Sequence, residues 1–281
     1  MSKSRGQTHP PRSIARAAAP GPSRSSSPTE PKLRNTTEVR IGTSGWHYKS
    51  WHGPFYPSTL RIKDFLAFYI DRFDTAEINN SFYRLPTEQA VRTWHDSTPE
   101  GFLFAWKVSR FITHMKRLKD IEDSIALVFG RMAGLAEKFG PVLFQLPPTF
   151  KANEETLERV ARCLSLVPPG HRYAFEFRHP SWYEDRVFDL LRDHNAALCI
   201  SDHAAAPAPW VTTADFVYVR AHGTNGRYAG SYSQETLQDW ARQIATWQEE
   251  LRDVYVYFDN DIKSAAPGDA STLLRLTGRL E

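Results

Sequence analysis

The chain has 281 residues, 41% hydrophobic and 13% aromatic, and a formal net charge of +3. That length suits one large domain, no apolar run is long enough to span a bilayer, and Cys163 and Cys199 lack partners at metal-ligand spacing. Both cysteines read as small buried hydrophobes in a reducing, cytoplasmic setting. The charge is unevenly placed: up to Asn35 seven Lys and Arg stand against Glu30 alone, which leaves −3 for the remainder and no overall electrostatic footprint of a duplex-binding protein.

Residues 1–35 are rich in Ser, Pro, Ala and Arg without apolar periodicity, which predicts a disordered basic tail. The tail has no apolar segment of the secretory kind and only faintly resembles an organellar transit peptide. From residue 36 to 281 short β-rich runs alternate with helix-period segments, the pattern of βα units around a parallel sheet. Eight runs are predicted as strands: Val39 to Thr43, Thr75 to Asn79, Phe102 to Ser109, Pro141 to Leu146, Tyr173 to Arg178, Ala197 to Asp202, Phe216 to His222 and Val254 to Asp259. Between them, Leu157, Val160, Ala161 and Leu164, and later Leu237, Trp240, Ile244, Trp247 and Leu251, recur at helical spacing. Thr87 after Pro86, and Ser231 or Ser233, supply N-cap chemistry. Gly and Pro cluster just after strands, at Gly45, Gly53 and Pro54, at Pro147 and Pro148, and at Gly223, Gly226 and Gly230, so the long irregular loops lie at strand C-termini. Eight units predict an α/β, single-domain (β/α)₈ TIM barrel. The first turn, Gly42-Thr43-Ser44-Gly45-Trp46, does not match the Gly-rich fingerprint of an open dinucleotide-binding sheet.

In such a barrel, residues closing the strands line the mouth where ligands bind. Polar groups stand there on almost every strand: Ser44, Glu77 and Asn79, Lys107 and Ser109, Gln145, Glu176 and Arg178, Asp202, Arg220 and His222, and Asp259 with Asn260. Alternate strand residues face opposite sides, which puts Glu176 with Arg178, Ala105 with Lys107, and Tyr218 with Arg220 and His222 in the lumen. Buried charges must be paired, hydrated or used. A purely structural arrangement would pair Glu77 with Lys107 and Glu176 with Arg178 in a closed layer. Convergence from so many strands favours a functional site.

Several segments together resemble the YecE-like family, a domain of unknown function with a TIM-barrel fold. They are Gly42 to Trp46, Glu77 to Arg84, Lys107 to Arg110 with Thr113-His114, Leu143 to Pro148, Glu176 to Trp182, Val219 to Gly223 and Tyr257 to Asp261. The resemblance runs from about Arg40 to Leu276 and implies the barrel without naming a reaction. Asp259 stands where the family usually shows Asn.

The residues predict an enzyme or binder of a small anionic or polyhydroxylated ligand, its reaction class hydrolytic, eliminative or isomerising and its cofactor unspecified. Glu77, Lys107, Glu176, Asp202 and His222 are the catalytic candidates. Ligand contacts are expected from Ser44, Trp46, Asn79, Tyr83, Gln145, Arg178, His179, Trp182, Arg220, Tyr228 and Asn260, with Phe82 as a further aromatic wall. The loop Gly223 to Gly230 is a candidate phosphate cradle. Lys107 reads as electrostatic rather than as a Schiff-base lysine, since facing carboxylates oppose its deprotonation. Glu176→Gln or Lys107→Met is expected to leave the fold intact and eliminate ligand binding. A second reading makes Glu77, Glu176, Asp202, His203, His222 and Asp259 divalent-metal ligands for a phosphodiesterase or isomerase, against which stand the cations interleaved among them. A third is a non-catalytic single-strand nucleic-acid binder working through the basic tail and exposed aromatics. No membrane partner is expected.

Overall fold

A computed structural model describes Met1 and residues 37–280; beyond its first residue, the expected tail lies outside the described residues. Eight parallel strands form one sheet: β1 (Val39–Thr43), β2 (Thr75–Ile78), β3 (Leu103–Lys107), β4 (Phe139–Gln145), β5 (Tyr173–Glu176), β6 (Ala197–Ser201), β7 (Phe216–Ala221) and β8 (Asp253–Phe258). Their order, β1-β8-β7-β6-β5-β4-β3-β2, leaves β1 and β2 to close the barrel. Every predicted strand is present, with bounds displaced by no more than two residues.

The β1–β2 seam closes by other means than a full ladder. Only Ser44 and Glu77 form a bridge, with the Gly45 amide donating to the Glu77 carbonyl at 2.8 Å. Lower down, the buried Tyr69 hydroxyl stands between the strands: it accepts from the Thr43 amide at 3.0 Å and donates to the Thr75 carbonyl at 3.0 Å. Gly42 permits this approach, because a Cβ there would lie 2.3 Å from the Thr75 carbonyl oxygen.

Seven α-helices pack outside: α1 (Phe65–Ile70), α2 (Glu88–Asp96), α3 (Glu122–Met132), α4 (Glu154–Leu166), α5 (Asp185–Asp193), α6 (Gln234–Glu249) and α7 (Ala265–Leu276). Thr87 caps α2 through the Ala90 amide, and of the two serines considered for α6 it is Ser233 that caps, through the Thr236 amide. The connection from β6 to β7, 202–215, forms no helix, so the strict eightfold alternation is broken once. Pro207 and Pro209 explain it, since each removes an amide donor and clashes with the preceding turn. No helix among the described residues is long and apolar enough to cross a membrane.

Strand parity sorts the core into two bodies. Outward residues such as Ile41, Phe104, Phe144, Phe175, Val217 and Val256 pack against the helices. Inward residues form a separate cluster, with Phe216, Tyr218, Tyr255 and Tyr257 from β7 and β8 filling the lumen against Ala105, Ala174 and Ala197 opposite. Large side chains meet small ones, so the lower lumen is a packed plug rather than a pore. Both cysteines are buried and free, Cys163 on α4 and Cys199 in the lumen.

Candidate functional site

Above the tyrosine floor, the next inward positions at the strand C-termini are charged. Arg220 is fully buried at their centre and its guanidinium is saturated. Nε donates to Glu77 Oε2 at 3.0 Å, Nη1 to Glu176 Oε2 at 2.9 Å, and Nη2 to Ser44 Oγ at 3.0 Å, Glu77 Oε1 at 2.8 Å and Asp259 Oδ2 at 2.8 Å. Ser44 Oγ also donates to Glu77 Oε1, and the Tyr218 hydroxyl donates to Glu77 Oε2 at 2.7 Å. An Arg fork suits this task because it is planar, permanently charged and able to serve several carboxylates at once.

Glu176 meets two guanidiniums: one oxygen accepts from Arg220 Nη1, and the other is ion-paired with Arg178 Nη2 at 2.5 Å. Burial pushes its pKa up, but Arg178 and Arg220, with help from His222 and Lys107, hold it well below the ordinary carboxylate value. Burial likewise opposes the charge on Arg220, and Asp259, Glu77 and Glu176 override it, leaving the guanidinium firmly protonated.

His222 is fully buried between these groups. Its Nε2 accepts from Arg178 Nη2 at 2.9 Å and from Arg220 Nη1 at 3.2 Å, so the ring proton belongs on Nδ1, which lies 3.4 Å from Asp202 Oδ1 and 3.3 Å from Ser201 Oγ. With Nε2 already filled by two cationic donors, His222 is placed to position Arg178 rather than to accept a proton from a ligand. Asp202 in turn accepts from the His222 amide at 2.7 Å and from the Tyr232 hydroxyl, so it ties the ends of β6 and β7 together.

Lys107 is different. Its side chain is 5% exposed and its ammonium lies 4.5 Å from the Phe82 ring centroid, yet it makes no ion pair or hydrogen bond among the described residues. The expected Glu77–Lys107 pair is therefore absent, because Arg220 takes both Glu77 oxygens; the expected Glu176–Arg178 pair is present. Burial, reinforced by Arg220 and opposed by Asp259, Glu77 and Glu176, lowers the Lys107 pKa to about 8. Arg178 Nε is buried without a partner. Both cations act on His114, whose pKa falls to about 4, first through burial and then through Lys107, Arg178 and Arg110.

Other expected contacts divide into two groups. Trp46, Asn79 and Tyr83 line one cavity of about 240 Å³ over the ends of β1 and β2, and Asn79 Oδ1 is buried there without a partner. Gln145 stands beside Glu176 in register, and Tyr228 places its hydroxyl 3.3 Å from Arg178 Nη1. Trp182 instead leaves the mouth: it is stacked between Phe150 and Phe177, with Nε1 donating to the Phe150 carbonyl, and belongs to the outer core. His179 turns its Nδ1 to the Ser181 amide and hydroxyl, pinning the turn after β5. Asn260 is fully buried and its amide nitrogen braces Gly230 and Asp269, a loop-holding role, although its Oδ1 has no partner.

Four amides of the loop Gly223 to Gly230, the candidate phosphate cradle, are turned inward. The Gly223, Gly226, Arg227 and Tyr228 amides are all spent inside the protein, on Tyr232, Gly223, Asn225 and His222 respectively. Gly226, at φ 60°, packs so closely that a Cβ would lie 2.4 Å from the Ala204 nitrogen, which locks this loop to the one after β6. Among the described residues no group of three His, Cys, Asp or Glu could hold a metal ion. The carboxylates proposed as ligands, Glu77, Glu176 and Asp259, surround a guanidinium where a cation would have to sit.

Three contributors are not among the site residues that the sequence predicts. Parity places Tyr218 in the lumen without assigning it a role, and Ser201 faces inward by the same rule. His114 lies on a π-helical turn, Phe111–Met115, and no spacing rule places it beside Lys107.

A parallel eight-stranded barrel whose C-terminal mouth carries a buried charge layer is a TIM-barrel-like protein. The chain matches, over residues 40–281, the family described as protein of unknown function DUF72, and it belongs to that family. The resemblance seen in the sequence is thus borne out. It is 25% identical over 272 residues to YunF of Bacillus subtilis, covering 85% of this chain and 94% of the relative. To YecE of Escherichia coli K12 it is 24% identical over 252 residues, covering 81% and 88%. Its fold is similar to the crystal structure of a DUF72 family protein from Thermotoga maritima, with TM-score 0.79, 27% identity and coverage of 86% and 99%. A DUF72 family protein from Enterococcus faecalis shares the fold at TM-score 0.74 and 20% identity, covering 85% and 95%.

Proposed function

We propose that the barrel mouth binds a small ligand carrying both an anionic group and hydroxyls, the anion seated between Lys107 Nζ and Arg178 Nε. One observation carries this reading: Arg178 Nε is a buried donor without an acceptor and the Lys107 ammonium has no ion pair or hydrogen bond among the described residues, in a layer where every other guanidinium nitrogen is occupied by a carboxylate, hydroxyl or imidazole. Leaving a buried donor such as Arg178 Nε unsatisfied is unfavourable by about 1–3 kcal/mol, more for a charged group, and a bound anion relieves it. Asn79 Oδ1, an unpaired acceptor in the adjoining cavity, suits a ligand hydroxyl. Glu77 and Glu176 serve in this reading as the clamp that fixes Arg220 and Arg178, and Asp202 and His222 hold Arg178 in place. A proton transfer would then fall to Lys107, whose pKa of about 8 lets it exchange a proton near neutrality.

The test is calorimetric titration of the full chain with inorganic phosphate, sulfate, small carboxylates and sugar phosphates, repeated with Lys107→Met. At least one of these is expected to bind, at least tenfold more weakly to the variant. If none binds at millimolar concentration, or the variant binds equally well, the reading fails.

A further inference from the structure

The sequence reading gives nucleic-acid contact to the basic tail and exposed aromatics; the tail beyond Met1 lies outside the described residues, and two of the exposed aromatics, Tyr83 and Phe111, stand at one place. The turns that follow β2 and β3 form one side of the mouth, joined through Phe82, whose ring contacts Tyr83 at 5.1 Å and His114 at 4.9 Å. On this side large apolar groups are turned outward: Tyr83 is 70% exposed, Phe111 45% and Met115 64%. Interleaved with them are the exposed cations Arg84 and Arg110, and Arg117 and Lys119 continue the charge outward. None of these four forms an ion pair among the described residues, whereas most of the other surface arginines do. The segment is also held in a costly shape. It contains the π-helical turn, and Arg117, Leu118 and Asp120 all have left-handed backbone at φ 51°, 59° and 48°, anchored by buried Leu118. Such strain persists only where the surroundings enforce it, so the turn after Phe111 is a built conformation.

We propose that this rim is a binding surface for single-stranded nucleic acid, the bases stacking on Tyr83 and Phe111 and the phosphates lying on Arg84 and Arg110. Unpaired cations alternating with exposed rings are the combination that engages single strands without reading sequence. A duplex hides its base faces and has no use for the rings. A membrane surface would use the same residue types, but here Tyr83 borders a recess of about 240 Å³, room for one base. The proposal does not depend on the anion site at Lys107.

The experiment is fluorescence anisotropy with a labelled mixed-sequence single strand of about 16 nucleotides, the upper end of single-domain site sizes. The full chain is compared with Tyr83→Ala/Phe111→Ala and with Arg84→Ala/Arg110→Ala, whose exposed positions leave the core untouched. The aromatic pair should weaken binding about fivefold or more with an unchanged salt slope. The arginine pair should flatten the slope of log affinity against log salt by about 1.4, roughly 0.7 for each phosphate that is no longer neutralised. Full-strength binding in both variants would assign the affinity to the tail and overturn the proposal. So would equal affinity for the matching duplex, binding only to vesicles of anionic phospholipid, or no binding at low salt.

Discussion

Replacing Arg220 by Met tests whether the charge layer is a clamp. The substitution keeps most of the volume and removes the cation that Glu77, Glu176 and Asp259 share, and two of these carboxylates are fully buried. Breaking a buried pair by removing one partner destabilises by about 3–5 kcal/mol. In a domain of this size each kcal/mol shifts the melting temperature by about 2–4 °C, so a loss of roughly 6–20 °C is expected. The loss should also depend on pH. In the wild type the pKa of Glu176 is depressed, so its stabilising share is present above the unfolded carboxylate value and fades as pH falls below it. In the variant Glu176 keeps Arg178 but loses Arg220, so its pKa is less depressed and that share is smaller. Differential scanning calorimetry at pH 5 and pH 8 should therefore show the larger deficit at pH 8. A drop below about 3 °C, or one equal at both pH values, would refute the clamp and the assignment of Arg220 as its centre.

Lys107→Met should do the opposite to stability. Holding an ammonium whose pKa is about 8 instead of 10.5 costs the folded state up to about 3 kcal/mol below pH 8, a penalty relieved as pH rises toward the unfolded value, so the variant should melt higher at pH 7 and the gain should shrink by pH 10. A variant that melts lower at pH 7 would mean that Lys107 has a stabilising partner. Asp259→Asn keeps an acceptor for Arg220 and removes one negative charge near Lys107, so the affinity measured for the anion should rise on the order of threefold to tenfold, most at low ionic strength. Unchanged affinity would place the anion away from this layer.

Much of the site is legible in the sequence because a strand has a strict period of two. That period alone places Glu176, Arg178, Arg220 and His222 in the lumen, and the inward cluster of Ala105, Ala174 and Tyr218 obeys it. Parity cannot say which partner each charge takes, since that depends on side-chain reach across the barrel: Arg220 on β7 reaches Glu77 on β2, 143 residues away, and so displaces Lys107 from the adjacent strand. Glu176→Gln, expected to leave the barrel folded, should still lower its stability, because a neutral amide there weakens two buried guanidinium contacts. Beyond the strand ends the period no longer applies, which is why Trp182 reads as a mouth residue in the sequence and packs instead between Phe150 and Phe177. The Tyr69 hydroxyl closing the β1–β2 seam has no signature at all, being a tyrosine in an apolar helical stripe.

The distribution of partners within the layer separates support from action. A purely structural ion layer gains by satisfying every member, because an unpaired buried charge offsets whatever the paired ones contribute. Here Glu77, Glu176 and Asp259 are each matched to Arg220, and His222 is pinned by Arg178 and Asp202, so the satisfied groups form a rigid frame. Lys107 and one face of Arg178 are left out of it, on the side of the mouth that also carries His114, Phe82 and the exposed rim. The Asp259 carboxylate belongs to the frame, so Asn in its place would change how strongly the layer repels an anion and not how the barrel is built. A stable protein has no need to desolvate a lysine and leave it alone; a site that must meet an arriving negative charge does.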